Sequence, residues 1–203
     1  FEYGVGATTF NGEDGGYGFV DAWSIDGGAP DVTAGYQSQS LSNDAFTFAP
    51  AGGAGKNDNA TFGAVRNLSA HLSLTNDAVH YFSLLMRCDE IAQNNDIKLI
   101  HSGGEIIAAG FRNDSSNGMT ARAVCGNATQ GTSGEYQTGA VYFVAGILET
   151  SAMTNDYLRL CVYGSGDTVP SNAPAMYEVS SQGMRVLALA VELDSTTVLS
   201  FSR

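Results

Sequence analysis

Short strand-like runs between closely spaced turn signals are the feature that most limits what this chain can fold into. Clusters of Gly, Asn, Asp, Ser and Pro recur about every 8 to 15 residues. Between them lie short apolar or alternating runs, and no segment has a convincing amphipathic helical period. The clearest runs are 78–88, 97–101, 105–112, 119–125, 141–150, 157–163, 184–192 and 197–201. This pattern predicts an all-β sandwich or barrel of about ten or more antiparallel strands.

Alternation is most visible in the run YLRLCVY at 157–163. Leu158, Leu160 and Val162 are two residues apart, so in a strand they share one face. The pattern predicts a half-buried antiparallel strand.

Two segments admit an alternative interpretation. The run 83–92 (SLLMRCDEIA) contains good helix formers and could form a helix on propensity alone. The run 49–59 (APAGGAGKNDN) has the composition of a flexible linker, but the piece before it has too few large apolar residues for a separate core. We therefore predict a long loop at 49–59 and a single domain over residues 1–203.

The charge balance excludes several classes of partner. The chain has 9 Lys and Arg against 21 Asp and Glu, a net charge of -12, so it has no basic surface for nucleic acid. No apolar run approaches the roughly 18 residues of a membrane-spanning helix.

Lysine occurs only at Lys56 and Lys98, and glycine is abundant. A surface of small polar residues is typical of secreted β-proteins, so we predict an extracellular or cell-surface location.

The three cysteines each lie inside an apolar or alternating run. Cys88, Cys125 and Cys161 are therefore expected to be small buried hydrophobic residues rather than reactive thiols. In an oxidising compartment one pair could form a disulfide, and the sequence does not choose the pair.

Several motifs resemble a known family. The run 11–23 (NGEDGGYGFVDAW), with its paired glycines, aromatic residue and tryptophan, is followed in order by strand-like runs at 80–87, 138–149, 155–160 and 187–201. This succession resembles the concanavalin A-like, laminin-G-like jelly-roll domains of secreted bacterial proteins. The resemblance implies an all-β, two-sheet antiparallel jelly-roll sandwich. That fold hosts lectins, glycosidases, adhesion modules and structural subunits, so it does not choose among functions.

Aromatic residues near the start of the chain form the predicted carbohydrate site. Sugars commonly stack on an aromatic ring and hydrogen-bond to amide or carboxylate groups. The predicted carbohydrate-binding residues are Tyr17, Phe19, Trp23, Asn11 and Tyr36. For Trp23, the only tryptophan, packing in the core is the competing interpretation.

Acidic residues in the same Gly-rich segment are candidate calcium ligands. Calcium prefers hard oxygen ligands on loops, and we predict a possible structural calcium site from Asp14, Asp21 and Asp26. Jelly rolls similar to this one often carry such a site. The spacing does not match an EF-hand loop, and solvated turn carboxylates are the alternative.

The sequence lacks a complete catalytic motif. Glu192 and Asp194 match the first half of the E-x-D-x-x-E strand of laminarinase-like glycosidases, but Thr197 stands where the second Glu is needed as proton donor. The chain has no G-x-S-x-G elbow, and its three histidines lack metal-ligand spacing. We therefore predict that the protein is not an enzyme.

Two functions fit these observations. The first is a non-catalytic extracellular or cell-surface recognition module that binds a polysaccharide or other glycan. The alternative is a structural subunit of an extracellular filament, sheath or surface layer. In that case its partners are copies of itself, joined through strand edges or terminal strands.

Overall fold

The computed structural model describes residues 12, 19–26, 34–37, 41–44, 54–57, 62–74, 76–89, 94–101, 104–114, 118–126, 128–131, 136–168, 177–181, 184–193 and 197–201. All regular elements among them are β-strands. No helix in this part of the chain is long and apolar enough to cross a membrane. The strands are β1 (Ser24–Asp26), β2 (Ala34–Gln37), β3 (Ala54–Asn57), β4 (Phe62–Leu74), β5 (Ala78–Cys88), β6 (Asn94–His101), β7 (Gly104–Asp114), β8 (Gly118–Cys125), β9 (Ala128–Gly131), β10 (Val141–Thr150), β11 (Asp156–Tyr163), β12 (Tyr177–Ser181), β13 (Met184–Leu193) and β14 (Thr197–Phe201).

The strands form two antiparallel sheets of seven strands each. The first sheet has the order β1-β4-β13-β6-β7-β8-β9, and the second has the order β12-β11-β10-β5-β14-β3-β2. The prediction of an all-β, two-sheet antiparallel jelly-roll sandwich is confirmed. The single domain over 1–203 stays a prediction.

The predicted strands agree closely with the observed ones where the apolar runs are strongest. Strands β5, β10 and β14 begin and end at the predicted residues. The helical alternative for 83–92 is wrong over its described part, because residues 83–88 belong to β5 and pair with β10. The predicted loop at 49–59 contains β3, which pairs with β2 and β14.

The main core lies between the two sheets. Both sheets contribute buried side chains to it, because alternate residues of each strand face inward. Its fully buried members are Ile107, Ala109, Ala123, Cys125, Leu148, Leu158 and Leu160. The predicted face of β11 is thus confirmed for Leu158 and Leu160.

Gly146 leaves room for an aromatic ring that packs against this core. Its Cα is paired with that of Phe82 across β10 and β5. A Cβ built on Gly146 would lie against the ring carbons of Phe82, so the ring occupies the space that a side chain would need.

The cysteines follow the prediction of burial. Cys88, Cys125 and Cys161 are all described, all three are buried, and none of them forms a disulfide. The conditional expectation of a disulfide is therefore not met in this structure. Each thiol fills space in a close-packed interior, where a small apolar side chain is favoured.

A buried ion pair lies on the face of the first sheet that points away from the core. Asp96 of β6 and Arg122 of β8 are separated by Gly110 of β7, and the Asp96 Oδ2 atom accepts a hydrogen bond from Arg122 Nη1. The Asp96 side chain has no exposed surface, and that of Arg122 is only 12% exposed. Two opposite charges thus lie in contact in a region from which water is largely excluded.

Candidate functional site

Large exposed apolar side chains are concentrated at one end of the second sheet. Among the described residues, the most exposed of this kind are Met153 (89%), Tyr81 (76%), Val20 (62%) and Val79 (51%). Three of the four belong to β5 or to the turn between β10 and β11. Val20 lies apart, beside β4, where its amide donates to the Asn67 carbonyl at 3.1 Å. A concentration of this kind on a folded protein indicates a binding surface.

Strand register brings this end of the second sheet into one continuous face. Across β5, β10 and β11, Tyr81 is paired with Ile147, and Ile147 with Arg159. The next row joins Val79, Glu149 and Tyr157 in the same way. These positions alternate with the core residues Leu148 and Leu158, so they point outward. We name this surface the open face; it consists of Val79, Tyr81, Ile147, Glu149, Tyr157 and Arg159.

The open face combines aromatic rings with a charged pair. Arg159 Nη1 lies 2.5 Å from Glu149 Oε1, and the Arg159 Cζ atom lies 5.4 Å from the centre of the Tyr157 ring. These contacts hold the guanidinium between a carboxylate and a ring. A guanidinium has five N–H donors and a carboxylate accepts at both oxygens, so this pair places polar groups of both kinds on the open face.

The 151–155 turn borders the open face at one end of the strands. The Asp77 Oδ1 atom accepts hydrogen bonds from the Ala152 amide at 2.9 Å and from Ser151 Oγ at 3.2 Å. The Oδ1 atom of the buried Asp156 accepts a hydrogen bond from the Ser151 amide at 2.8 Å. Two carboxylates therefore fix the start of the turn that carries the exposed Met153.

At the other end of the strands, the same side of the sheet is covered by the chain itself. Leu41 is buried in a cluster on the outer side of β5, β10 and β11. The other fully buried members of this cluster are Leu85, Phe143, Cys161 and Tyr163. We name residues 41–44 the strap. The strap leaves the open face as the uncovered half of this side.

Hydrogen bonds fasten the strap across two strands. Asn43 Nδ2 donates to the Val141 carbonyl at 2.7 Å and to the Tyr163 carbonyl at 3.2 Å. Asp44 Oδ1 accepts from Ser165 Oγ and from the Gly166 amide, and these hydrogen bonds lower the pKa of the Asp44 carboxyl. Under the strap, burial raises the pKa of Tyr163.

Replacing Asn43 by alanine is expected to lower the free energy of unfolding by about 1–3 kcal/mol, because two backbone carbonyls lose a buried donor. Urea unfolding monitored by circular dichroism measures this change. Ser42 is exposed in the same strap, so Ser42→Ala is the control and should change stability by less than about 0.5 kcal/mol. Equal effects of the two variants would show that the strap contributes little to stability.

Comparisons with known proteins add a distant likeness. No family model matches the chain, and no curated protein matches its sequence. An isoform of the Lotus tetragonolobus seed lectin is similar in structure, with a TM-score of 0.46 and 8% identity over 97% of this chain and 96% of that one. A protein of unknown function from Shewanella oneidensis MR-1 has a TM-score of 0.44 and 9% identity over 90% of this chain and 80% of that one. At such identities the likeness concerns the fold alone.

The described part of the predicted carbohydrate site is mostly internal. Trp23 is only 4% exposed, and its ring centre lies 6.0 Å from that of the partly buried Phe19. The buried Arg66 places its Cζ atom 4.6 Å from the Phe19 ring centre and 6.0 Å from that of Trp23. For Trp23 the structure agrees with the core interpretation, because its indole has no face free for a sugar.

The remaining predicted carbohydrate residues are not tested. Tyr17 and Asn11 lie outside the described residues, and for Tyr36 the description covers its backbone position in β2. Their role in sugar binding stays a prediction.

The predicted calcium ligands are likewise only partly described. Asp21 is exposed, and its Oδ2 atom accepts a hydrogen bond from Asn67 Nδ2 at 2.9 Å. Asp14 lies outside the described residues, and Asp26 is described only as a backbone position in β1. Within the described residues no three His, Cys, Asp or Glu side chains group as a metal site. Calcium binding stays a prediction.

Sequence reasoning missed the open face although a signal was present. Tyr157 and Arg159 are the two neighbours of Leu158 in the strand, so alternation already assigned them to the side opposite Leu158. Tyr81 occupies the equivalent position in β5. What the sequence could not give is the pairing that makes these residues neighbours.

The two residues that match the first half of the glycosidase motif are only partly described. Glu192 lies in β13, and Asp194 falls outside the described residues.

Proposed function

We propose that the protein is a non-catalytic recognition module that binds carbohydrate on the open face and acts outside the cell or at its surface. The single observation that carries this proposal is Tyr81, a large aromatic side chain that is 76% exposed on a sheet face that also carries a second tyrosine and an ion pair. Leaving such a ring in water offers no benefit to folding, so a ligand is the simplest reason for its exposure.

Carbohydrate fits the chemistry of this face. The C–H side of a sugar ring packs on the apolar face of a tyrosine, while its hydroxyls need both donors and acceptors. Tyr81 and Tyr157 supply the rings, and the Arg159–Glu149 pair supplies donors and acceptors next to them. A rigid sheet holds all four groups before the ligand arrives, which reduces the entropic cost of binding.

The described side chains of the open face do not supply the two carboxyl groups that sugar cleavage generally requires. Glycoside hydrolysis generally uses two carboxyl groups on opposite sides of the scissile bond. Among the described residues of the open face, Glu149 is the one carboxylate, and it is held by Arg159. A face that binds without cutting is the expected result.

Replacing Tyr81 by threonine tests the proposal. Threonine keeps strand propensity and removes the ring, so carbohydrate affinity should fall about tenfold or more while stability changes little. Binding to a glycan microarray, followed by calorimetry on the best ligand, measures the change. Val20→Thr is the control, because Val20 is also an exposed apolar residue but lies away from the face. Tyr81→Phe should retain most of the binding. Unchanged binding of Tyr81→Thr would disprove the open-face site.

A structural subunit remains the second candidate, and one observation favours it. Met153, Tyr81 and Val79 are exposed at the same end of the second sheet, and Tyr and Met are enriched in protein interfaces. Light scattering over a range of concentrations distinguishes the two functions. A mass that grows with concentration in the wild type but not in Tyr81→Thr or Met153→Thr would assign the face to contacts between copies.

A further inference from the structure

We infer that the ligand of the open face is an uncharged polysaccharide, bound along its length across the strands of the second sheet. This inference rests on the proposed function and narrows it in two respects. The first is the charge of the ligand, and the second is the part of the ligand that is recognised.

The two described guanidinium groups on this side of the sheet are each engaged by a carboxylate. Arg159 is held by Glu149 on the open face. Arg87, further along β5, donates through Nε and Nη2 to the two carboxylate oxygens of Asp89 at 2.6 and 2.8 Å. A guanidinium that is already engaged by a carboxylate is a poor site for a uronate or sulfate group, since that anion would have to displace the internal partner. The local chemistry therefore favours a neutral ligand.

The electrostatic field of the whole protein also favours an uncharged ligand. With 9 basic and 21 acidic side chains, the net charge is -12. A polyanion approaching any face of this molecule meets a repulsive potential, whereas a neutral chain does not. This repulsion weakens as the salt concentration increases, so the salt dependence of binding distinguishes a charged ligand from an uncharged one.

The spacing of the two tyrosines favours recognition along a chain. Tyr81 is on β5 and Tyr157 is on β11, with β10 between them. Two strand spacings separate them by about 10 Å across the sheet. One sugar ring covers one tyrosine, so contact with both requires several linked sugars.

The segments that border the open face determine how the polysaccharide lies relative to the strands. The strap covers the outer side of the strands at one end, through Leu41 and its buried cluster. The 151–155 turn with Met153 borders the face at the other end. The uncovered path therefore runs across β5, β10 and β11 rather than along them.

Affinity electrophoresis tests the inference on the whole chain. Native gels contain either a neutral polysaccharide (mixed-linkage β-glucan, xyloglucan, galactomannan, dextran) or an anionic one (alginate, polygalacturonate, chondroitin sulfate), at low and at high salt. We expect at least one neutral polysaccharide to slow the migration of the protein, and we expect the same retardation at low and at high salt. Tyr81→Thr and Tyr157→Thr should each weaken it about tenfold, and Val20→Thr should not. Oligosaccharides of the retarding polymer should compete far better than its monosaccharide.

A variant that removes one carboxylate of the open face gives a positive control for the charge argument. Glu149→Gln removes the carboxylate that lies against Arg159 Nη1. Alginate should therefore retard this variant more than the wild type at low salt, and high salt should abolish the difference.

Each result decides between the inference and the proposed function. Retardation of the wild type by an anionic polymer alone, lost at high salt, would overturn the inference and leave carbohydrate binding in place. Competition by the monosaccharide as strong as by its oligomers would overturn recognition along the chain. No retardation in any gel, together with a blank glycan microarray, would overturn the proposed function itself.

Discussion

Replacing Asp96 by alanine should lower the free energy of unfolding by about 3–5 kcal/mol, because the change removes a buried carboxylate that is in contact with the largely buried Arg122 guanidinium. In the folded protein, the electrostatic attraction between the two groups compensates for the free-energy cost of removing both from water. A single substitution removes this attraction, but the cost of desolvating the arginine remains. Chemical denaturation with urea, fitted to a two-state transition, measures the loss. Expression and solubility should fall as well, since a loss of this size is a large part of the stability of a typical domain.

Two controls separate the buried charge from a general effect of losing an ion pair. Glu149→Ala breaks the exposed pair with Arg159, where the carboxylate is 41% exposed, and should cost no more than about 1 kcal/mol. The double variant Asp96→Ala with Arg122→Met removes both charges and should be more stable than Asp96→Ala alone. If Asp96→Ala is no more harmful than Glu149→Ala, water reaches the Asp96–Arg122 pair and the buried description is wrong.

Replacing Gly110 by alanine should have an effect of similar size, about 3 kcal/mol or more. A Cβ at this position would lie against the Asn95 carbonyl oxygen and only 2.9 Å from the Asp96 Cα atom. These are backbone atoms of β6, so no side chain can rotate away, and β6 and β7 would have to separate. Because Gly110 lies in the row between Asp96 and Arg122, the same shift would disturb the ion pair.

Gly164 is the matched control for Gly110. A Cβ on Gly164 would meet the Asp167 Oδ2 atom and a Tyr142 ring carbon at 3.6 Å, an ordinary contact distance. Gly164→Ala should therefore be close to neutral, or slightly stabilising through the unfolded state. Thermal unfolding of both variants makes the comparison. A Gly110→Ala protein that melts together with Gly164→Ala would show that the two strands are further apart than described.

Strand position could be read from the sequence where apolar residues dominate. The run 141–150 is mostly large and apolar, and β10 is found at those residues. Strand β4 over 62–74 was not singled out because its apolar residues change phase: Val65 and Leu68 have opposite parity. The register between β4 and β13 shifts between Val186 and Ala188, so β4 carries extra residues there and simple alternation fails.

The candidate site was less predictable than the fold, for a reason that Trp23 and Tyr81 show together. Sequence reasoning included Trp23 in the predicted carbohydrate site with core packing as the competing interpretation, and the structure places it near Phe19 and the buried Arg66. Tyr81 lies inside an apolar run that reads as core, and only the pairing with Ile147 and Arg159 shows which neighbours it has. Pairing between strands distant in sequence is what a single sequence does not reveal.

The order of strands in the two sheets also bears on how the chain is made in the cell. In the first sheet β13 lies between β4 and β6, and in the second sheet β14 lies between β3 and β5. These strands are translated after all their neighbours. Until they emerge from the ribosome, both sheets are divided, and the backbone edges of β4, β6, β3 and β5 lack a partner that they have in the finished molecule. We therefore expect the two sheets to be completed only after β13 and β14 have been made, with newly made chains dependent until then on chaperones that shield open edges.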